Sequence, residues 1–91
     1  MLATDSDARG AVDKTLAGFQ KSKLLSSHER WQILSTISAR IKDEKEDFAR
    51  LITAEVGKPI QWSRVEVDRA VLTFQLAAEE VRRIGGEAIP L

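Results

Sequence analysis

Carboxylates are the commonest groups in this chain that could carry acid–base chemistry. Hydrolysis of the glycosidase type needs two of them held across a cleft in different environments. Here they occur in clusters at neighbouring positions of helix surfaces, interleaved with lysines and arginines. The clusters lie at residues 43–47, 66–68 and 79–80. We therefore expect solvated helix faces and no catalytic pair.

Nucleophiles and metal ligands are equally scarce. His28 is the only histidine and has no ligand-type residues at a suitable spacing, so we expect it on the surface of a helix's first turn. No serine lies in a G-x-S-x-G turn. The absence of cysteine removes disulfides, thiolate metal sites and a cysteine nucleophile. The sequence predicts no catalytic residue and no metal site.

Binding motifs for phosphate, nucleic acid and membrane are also missing. Gly85-Gly86 follows a helix and belongs to no phosphate-binding pattern, so we predict a helix stop there and no cofactor-binding residue. Fourteen basic and 14 acidic residues give zero net charge, which argues against nucleic-acid partners. Trp31 and Trp62, without a basic groove, are expected to anchor a core or an interface. No apolar run approaches the ~20 residues of a membrane span, and we expect a soluble cytoplasmic protein without membrane partners.

Helical periodicity organises the chain, and we predict an all-α segment of four helices. They should cover about residues 7–21, residue 26 or 27 to the charged break at 43–47, residues 44–56 and residues 59–83. Apolar stripes define a face on each of the first three: Ala8, Val12, Leu16 and Phe19; Trp31, Leu34, Ile37 and Ile41; Phe48, Leu51, Ile52 and Val56.

The helix ends carry recognisable signals. Ser26 and Glu29 have the spacing of a capping box, and Asp43 could cap the third helix. Gly57 occupies the place of a left-handed C-cap. Pro59 suits the first turn of the fourth helix.

The fourth helix is apolar on more than one side and should be buried on more than one side. We expect it to be the long buried element, beside an antiparallel pair formed by the second and third helices. Glu79 and Arg83, four residues apart, could pair on its wet face. The chain's last four residues, 88–91, are apolar and resemble the entrance to a strand.

Two stretches go beyond generic helix patterns. One is Glu55-Val56-Gly57-Lys58-Pro59-Ile60, and the other is Glu66-Val67-Asp68-Arg69-Ala70 leading on to Gly86-Glu87-Ala88-Ile89-Pro90. With His28-Glu29-Arg30 upstream, their order and spacing resemble the N-terminal region of the NAD(P)-dependent aldehyde dehydrogenase superfamily. The resemblance covers about residues 8–91. It implies that residues 1–91 form a single helical segment of the family's α/β coenzyme-binding domain.

The family's chemistry implies what this chain lacks. A cysteine thiolate attacks the aldehyde, hydride passes to NAD or NADP, and a glutamate-activated water releases the acid while an asparagine and a backbone amide hold the oxyanion. The cysteine is absent here, and the other groups and the coenzyme-binding glycine turn would lie beyond Leu91. The resemblance therefore implies an N-terminal fragment that is catalytically incomplete and holds no cofactor itself.

Two substrate-binding residues follow from the resemblance. Arg69 lies where family members that take anionic aldehydes can use an arginine, and Val65, one turn earlier, would lie on the same wall. The alternative is that Arg69 pairs with Glu66 or Asp68 on the helix surface. Lys58 is expected to belong to a corner between helices and not to bind an anion. Lactaldehyde, phosphorylated glyceraldehyde and phosphonoacetaldehyde enzymes are the members that this helix resembles most.

Two kinds of partner remain open. An exposed apolar face on the fourth helix should be covered by the remainder of the family's fold or, in its absence, by self-association. The alternative function is a free-standing helical interaction module that uses its amphipathic faces to bind another protein.

Overall fold

The computed structural model describes residues 2–84, and this part of the chain is all-α, as predicted. Its elements are α1 (Asp5–Ser22), α2 (Ser27–Asp43), α3 (Lys45–Val56) and α4 (Ile60–Val81). No strand occurs between residues 2 and 84. The turn predicted at Gly85-Gly86 and the strand entrance predicted at 88–91 lie outside the described residues.

Capping boxes fix the starts of the first two helices. The amide of Glu29 donates to Ser26 Oγ at 3.1 Å, and the amide of Ser26 donates to Glu29 Oε1 at 3.1 Å, which confirms the predicted box. Thr4 and Asp7 form the same reciprocal pair at the start of α1. This helix begins at Asp5, two residues before the predicted start. Each box satisfies two amides that would otherwise have no partner in the first turn.

The boundaries of α3 and α4 follow the predictions less closely. Asp43 does not cap α3, because it is the last residue of α2. Glu44 is both the C-cap of α2 and the N-cap of α3. Gly57 has the predicted left-handed conformation, with φ of 73°. Pro59 is the N-cap of α4 and not a first-turn residue, because its ψ of 140° is extended while its carbonyl already accepts from the Ser63 amide at 3.1 Å.

The centre of the fold is α4, against which α2 and α3 pack separately. The predicted antiparallel pair of α2 and α3 needs correction, since these two helices make few contacts with each other. Small side chains allow α2 and α3 to approach α4 closely, and two hydrogen bonds join the helices there. Ser38 Oγ donates to the Val71 carbonyl at 2.8 Å, and the Thr53 and Ser63 hydroxyls lie 2.8 Å apart. The buried residues of these three helices are Ser38, Ala49, Ser63, Val67 and Ala78.

The helix α1 packs against none of the other helices in the described part of the chain. A guanidinium nitrogen of Arg30 in α2 donates to the carbonyl of Ser22, the last residue of α1, at 2.6 Å. The result is an extended molecule with a radius of gyration of 17.7 Å. A compact domain of this length would have about 12 Å.

Candidate functional site

One face of α4 is apolar yet exposed, and it lies opposite the face that packs on α2 and α3. Its members follow one another at intervals of three or four residues, the spacing of a single helix face. All of them are exposed: Trp62, Val65, Arg69, Leu72 and Leu76. We call these five residues the outer stripe. A guanidinium therefore lies at the middle of an otherwise apolar surface.

The N-terminal half of the outer stripe borders an open surface pocket of about 490 Å³. Val65 and Arg69 both line it, so the structure places the two predicted substrate-binding residues on one wall. Trp62 adds an apolar wall, and Lys58 and Glu66 complete the lining. The role of Val65 and Arg69 in substrate binding stays a prediction. Sequence analysis missed Trp62 as a pocket residue, although its three-residue spacing from Val65 was a usable signal.

The acidic neighbours of Arg69 are occupied by lysines. Lys58 Nζ lies 2.6 Å from Glu66 Oε2, and Lys45 Nζ lies 2.8 Å from Asp68 Oδ1. The alternative in which Arg69 pairs with one of these acids is therefore not what the structure shows. Between residues 2 and 84, Arg69 has no ion-pair partner. Lys58 belongs to the corner between α3 and α4, as expected, with its ammonium group bound to Glu66.

A two-point ion pair holds α4 in place beside the pocket. Arg64 Nε and a terminal nitrogen donate to the two carboxylate oxygens of Glu46 in α3, at 2.8 and 3.2 Å. Hydrogen bonding to Arg64 lowers the pKa of Glu46 below its usual range, and the same bond raises the pKa of Arg64. Planar arginine–carboxylate pairs of this kind fix orientation as well as distance. The pair therefore helps to set the orientation of the helix that carries Arg69.

The remaining candidates from the sequence have structural roles. His28 is exposed in the first turn of α2 and stacks on Trp31 with ring centres 5.7 Å apart. The guanidinium of Arg82, the residue that follows α4, lies 4.4 Å from the centre of the Trp31 ring. The predicted Glu79–Arg83 pair is wrong: Arg83 bonds Glu80 at 3.3 Å, because α4 ends at Val81 and the chain turns there.

Residues 2–84 contain no group of three metal-ligand side chains placed to hold an ion. They also contain no strand followed by a glycine turn, so they do not fit the phosphates of a nicotinamide coenzyme. The expectation that coenzyme-binding and catalytic residues lie outside this chain stays a prediction. None of the described helices combines the length and the apolar character that a membrane crossing needs.

Comparison with known proteins gives a consistent picture. The sequence profile of the Aldehyde dehydrogenase family matches residues 1–91. The chain is 37% identical over 90 residues to a 3-sulfolactaldehyde dehydrogenase from Priestia aryabhattai, covering 99% of this chain and 18% of that protein. It is 38% identical over 84 residues to a lactaldehyde dehydrogenase from Methanocaldococcus jannaschii, covering 92% of this chain and 18% of that protein. The chain thus spans about a fifth of the length of these relatives. No solved structure matches it.

Proposed function

This chain belongs to the aldehyde dehydrogenase family and corresponds to an N-terminal segment of it, and from that premise we propose that it builds one wall of the substrate site of a complete enzyme. That enzyme would oxidise a short oxygenated aldehyde, preferably an anionic one, to the carboxylic acid. Arg69 would bind the anion and Val65 would contact the carbon chain.

The observation that carries this proposal is the guanidinium of Arg69 on the pocket wall, which has no ion-pair partner among residues 2–84. A guanidinium on an apolar surface is a strong site for an oxyanion once the surface is covered and water is excluded, because its planar fork donates two parallel hydrogen bonds. The charges of the nearby acids Glu66 and Asp68 are already balanced by Lys58 and Lys45. The arrangement therefore favours an anion supplied by a ligand.

The choice of substrate class draws on the relatives. One is named for sulfolactaldehyde, which carries a sulfonate, and another for lactaldehyde, which is neutral. Both aldehydes are short and carry a hydroxyl group, but only sulfolactaldehyde carries an anion that Arg69 would bind. We extend to this chain the class of short hydroxyaldehydes, with preference for those that bear a sulfonate or phosphate.

The coenzyme and the covering surface come from the rest of the fold in this proposal. The family is generally NAD(P)-dependent, and the segments that bind NAD or NADP would pack on the outer stripe beyond the pocket, where Leu72 and Leu76 lie exposed. A cytoplasmic location is part of the proposal, because nicotinamide coenzymes are intracellular metabolites. Cell fractionation would test it.

Steady-state kinetics of a complete enzyme that contains this segment test the proposal. Arg69→Gln should lower kcat/KM for a sulfonated or phosphorylated aldehyde by about 10- to 100-fold, the loss expected for a charged hydrogen bond. The same variant should change kcat/KM for neutral lactaldehyde much less. Arg50→Gln, an exposed arginine of α3 outside the pocket, is the matched control. Equal losses for the charged and the neutral substrate would contradict the assignment of Arg69.

The alternative of a free-standing interaction module has one observation in its favour, namely the apolar faces that α1 and α4 leave exposed. It requires a partner that binds these faces without the rest of an aldehyde dehydrogenase. Complementation separates the two functions. Mixing this chain with the remainder of a family member should restore oxidation of the aldehyde under the enzyme proposal, and should not under the module proposal.

A further inference from the structure

The exposed helix α1 carries an apolar face for which no other helix of the described chain provides a partner. Val12 and Leu16 are each 60% exposed, and Phe19 is 56% exposed. With Ala8 they recur at intervals of three or four residues and form a single stripe. Most of a helix's stability in a protein comes from packing of its apolar face, so covering this stripe would also stabilise the 18-residue helix itself.

The stripe is complementary to itself when a second copy lies antiparallel. A two-fold axis at Lys14 sets Val12 against the partner's Leu16 and brings Ala8 within one residue of the partner's Phe19. The smallest member of the stripe thereby meets the largest, and the two intermediate ones meet each other. Interdigitation of small with large side chains is what close helix packing requires, and an isologous pair repeats each contact twice.

The charges at the helix ends support the same arrangement. Asp5, the first residue of α1, and Lys23, its C-cap in right-handed helical conformation, fall on the stripe side by helical spacing. The same axis brings Asp5 beside the partner's Lys23 twice. Lys23 is not held by an acid within the described residues, where its ammonium lies 5.6 Å from the Phe19 ring centre. A parallel pair would instead bring like charges together, and it would also align the two helix dipoles unfavourably.

The outer stripe of α4 is a poorer surface for a second copy. Arg69 lies at its middle, so an antiparallel pair centred there would face one guanidinium with another. Like charges across a dry contact are costly. The two exposed faces thus differ in the occupant that they suit: an anionic group for α4 and a second copy for α1.

From these observations we infer that α1 is a self-association helix, and that two copies of this chain pair antiparallel through Ala8, Val12, Leu16 and Phe19. One helix pair buries less than the ~1,200–2,000 Å² of a standard interface. The dimer should therefore dissociate on dilution. This inference does not involve Arg69 or substrate, so it stands or falls separately from the proposed function.

Sedimentation equilibrium of the 91-residue chain over a wide concentration range is the test. The mass should rise from the monomer value of 10.1 kDa towards twice that value. Leu16→Asp should weaken association at least about tenfold, as for a central interface residue. Ala17→Asp, which places the same charge on the far side of α1, should leave it unchanged. Circular dichroism would verify that both variants keep most of the helix content.

Charge reversal tests the orientation. Asp5→Lys and Lys23→Asp should each weaken the dimer, and the double variant should restore it, because the pairs then re-form with exchanged signs. A monomer at every concentration would overturn the inference. So would equal effects of Leu16→Asp and Ala17→Asp, or a dimer that Leu72→Asp in the outer stripe dissociates while Leu16→Asp does not.

Discussion

Ser63 is completely buried where α3 meets α4, and its size sets the distance between these helices. Its hydroxyl and that of Thr53 satisfy each other at 2.8 Å. Ser63→Leu would force the helices apart and leave the Thr53 hydroxyl without its partner, and we expect a loss of about 1–3 kcal/mol in the free energy of unfolding. Urea denaturation followed by circular dichroism measures it. The same substitution at exposed Gln61 should change stability little, and comparable losses at both positions would contradict this account.

Two carboxylates predict that the stability of the fold depends on pH: Glu29, which caps α2, and Glu46, which bonds α3 to α4. Hydrogen bonding to the Ser26 amide lowers the pKa of Glu29, and hydrogen bonding to Arg64 lowers that of Glu46. A group whose pKa is lower in the folded chain stabilises the fold above its unfolded pKa, and this stabilisation is lost as the pH falls through the folded pKa. We therefore expect the urea midpoint to fall on acidification from neutral pH into the acidic range below the ordinary carboxyl pKa.

Glu29→Gln is the informative variant for this pH dependence. It keeps a side-chain oxygen that can accept from Ser26 but removes the titrating group, so the urea midpoint should fall less steeply with pH than in the unsubstituted chain. Glu55→Gln, at an exposed position of α3 for which the structure shows no hydrogen bond, is the control. Identical pH profiles for Glu29→Gln and the unsubstituted chain would remove Glu29 from the explanation.

At the scale of the helices, two glycines have opposite requirements. Gly57 ends α3 with φ of 73°, a conformation that costs other residues about 1–2 kcal/mol, whereas Gly18 lies inside α1 with open space around it. Gly57→Ala should lower the melting temperature. Gly18→Ala should raise the helix content of α1, since alanine is favoured there by up to about 1 kcal/mol. Thermal melts by circular dichroism compare the two, and a shift of the same sign in both would be evidence against this reading.

The helix ends could be predicted from the sequence because the signals are local. Ser26 with Glu29, and Gly57, act within one turn of the backbone, and both predictions are confirmed. The start of α1 was missed because Asp7 replaces the usual glutamate of a capping box. The pairing of helices could not be predicted, since an apolar stripe shows which face is buried and not which helix covers it. The most deeply buried residues are Ala49 and Ser63, whose small side chains give no strong hydropathy signal.

The pocket beside Val65 and Arg69, which we propose as a substrate wall, was likewise only partly predictable from the sequence. The resemblance to the family pointed to Arg69 and Val65, and the structure places both beside one pocket. Sequence alone left open whether Glu66 or Asp68 neutralises Arg69, because both are close along the chain. That question depends on Lys45, which is distant in sequence and reaches Asp68 only once α3 has folded against α4.

The whole molecule has two parts of unequal stability. The helices α2, α3 and α4 share buried contacts, whereas within residues 2–84 α1 has hydrogen bonds within its own segment and the Arg30 link at its end. In a dilute monomer the amides of α1 should therefore exchange with solvent at a near-zero opening free energy, while those of α4 should require opening of the whole three-helix unit. Hydrogen exchange measured by mass spectrometry at low and high protein concentration separates these cases. Protection of α1 should increase with concentration while that of α4 stays constant, because pairing covers α1 alone. Equal protection of α1 and α4 in the dilute chain would mean that α1 packs on the remaining helices, and the division into two parts would be wrong.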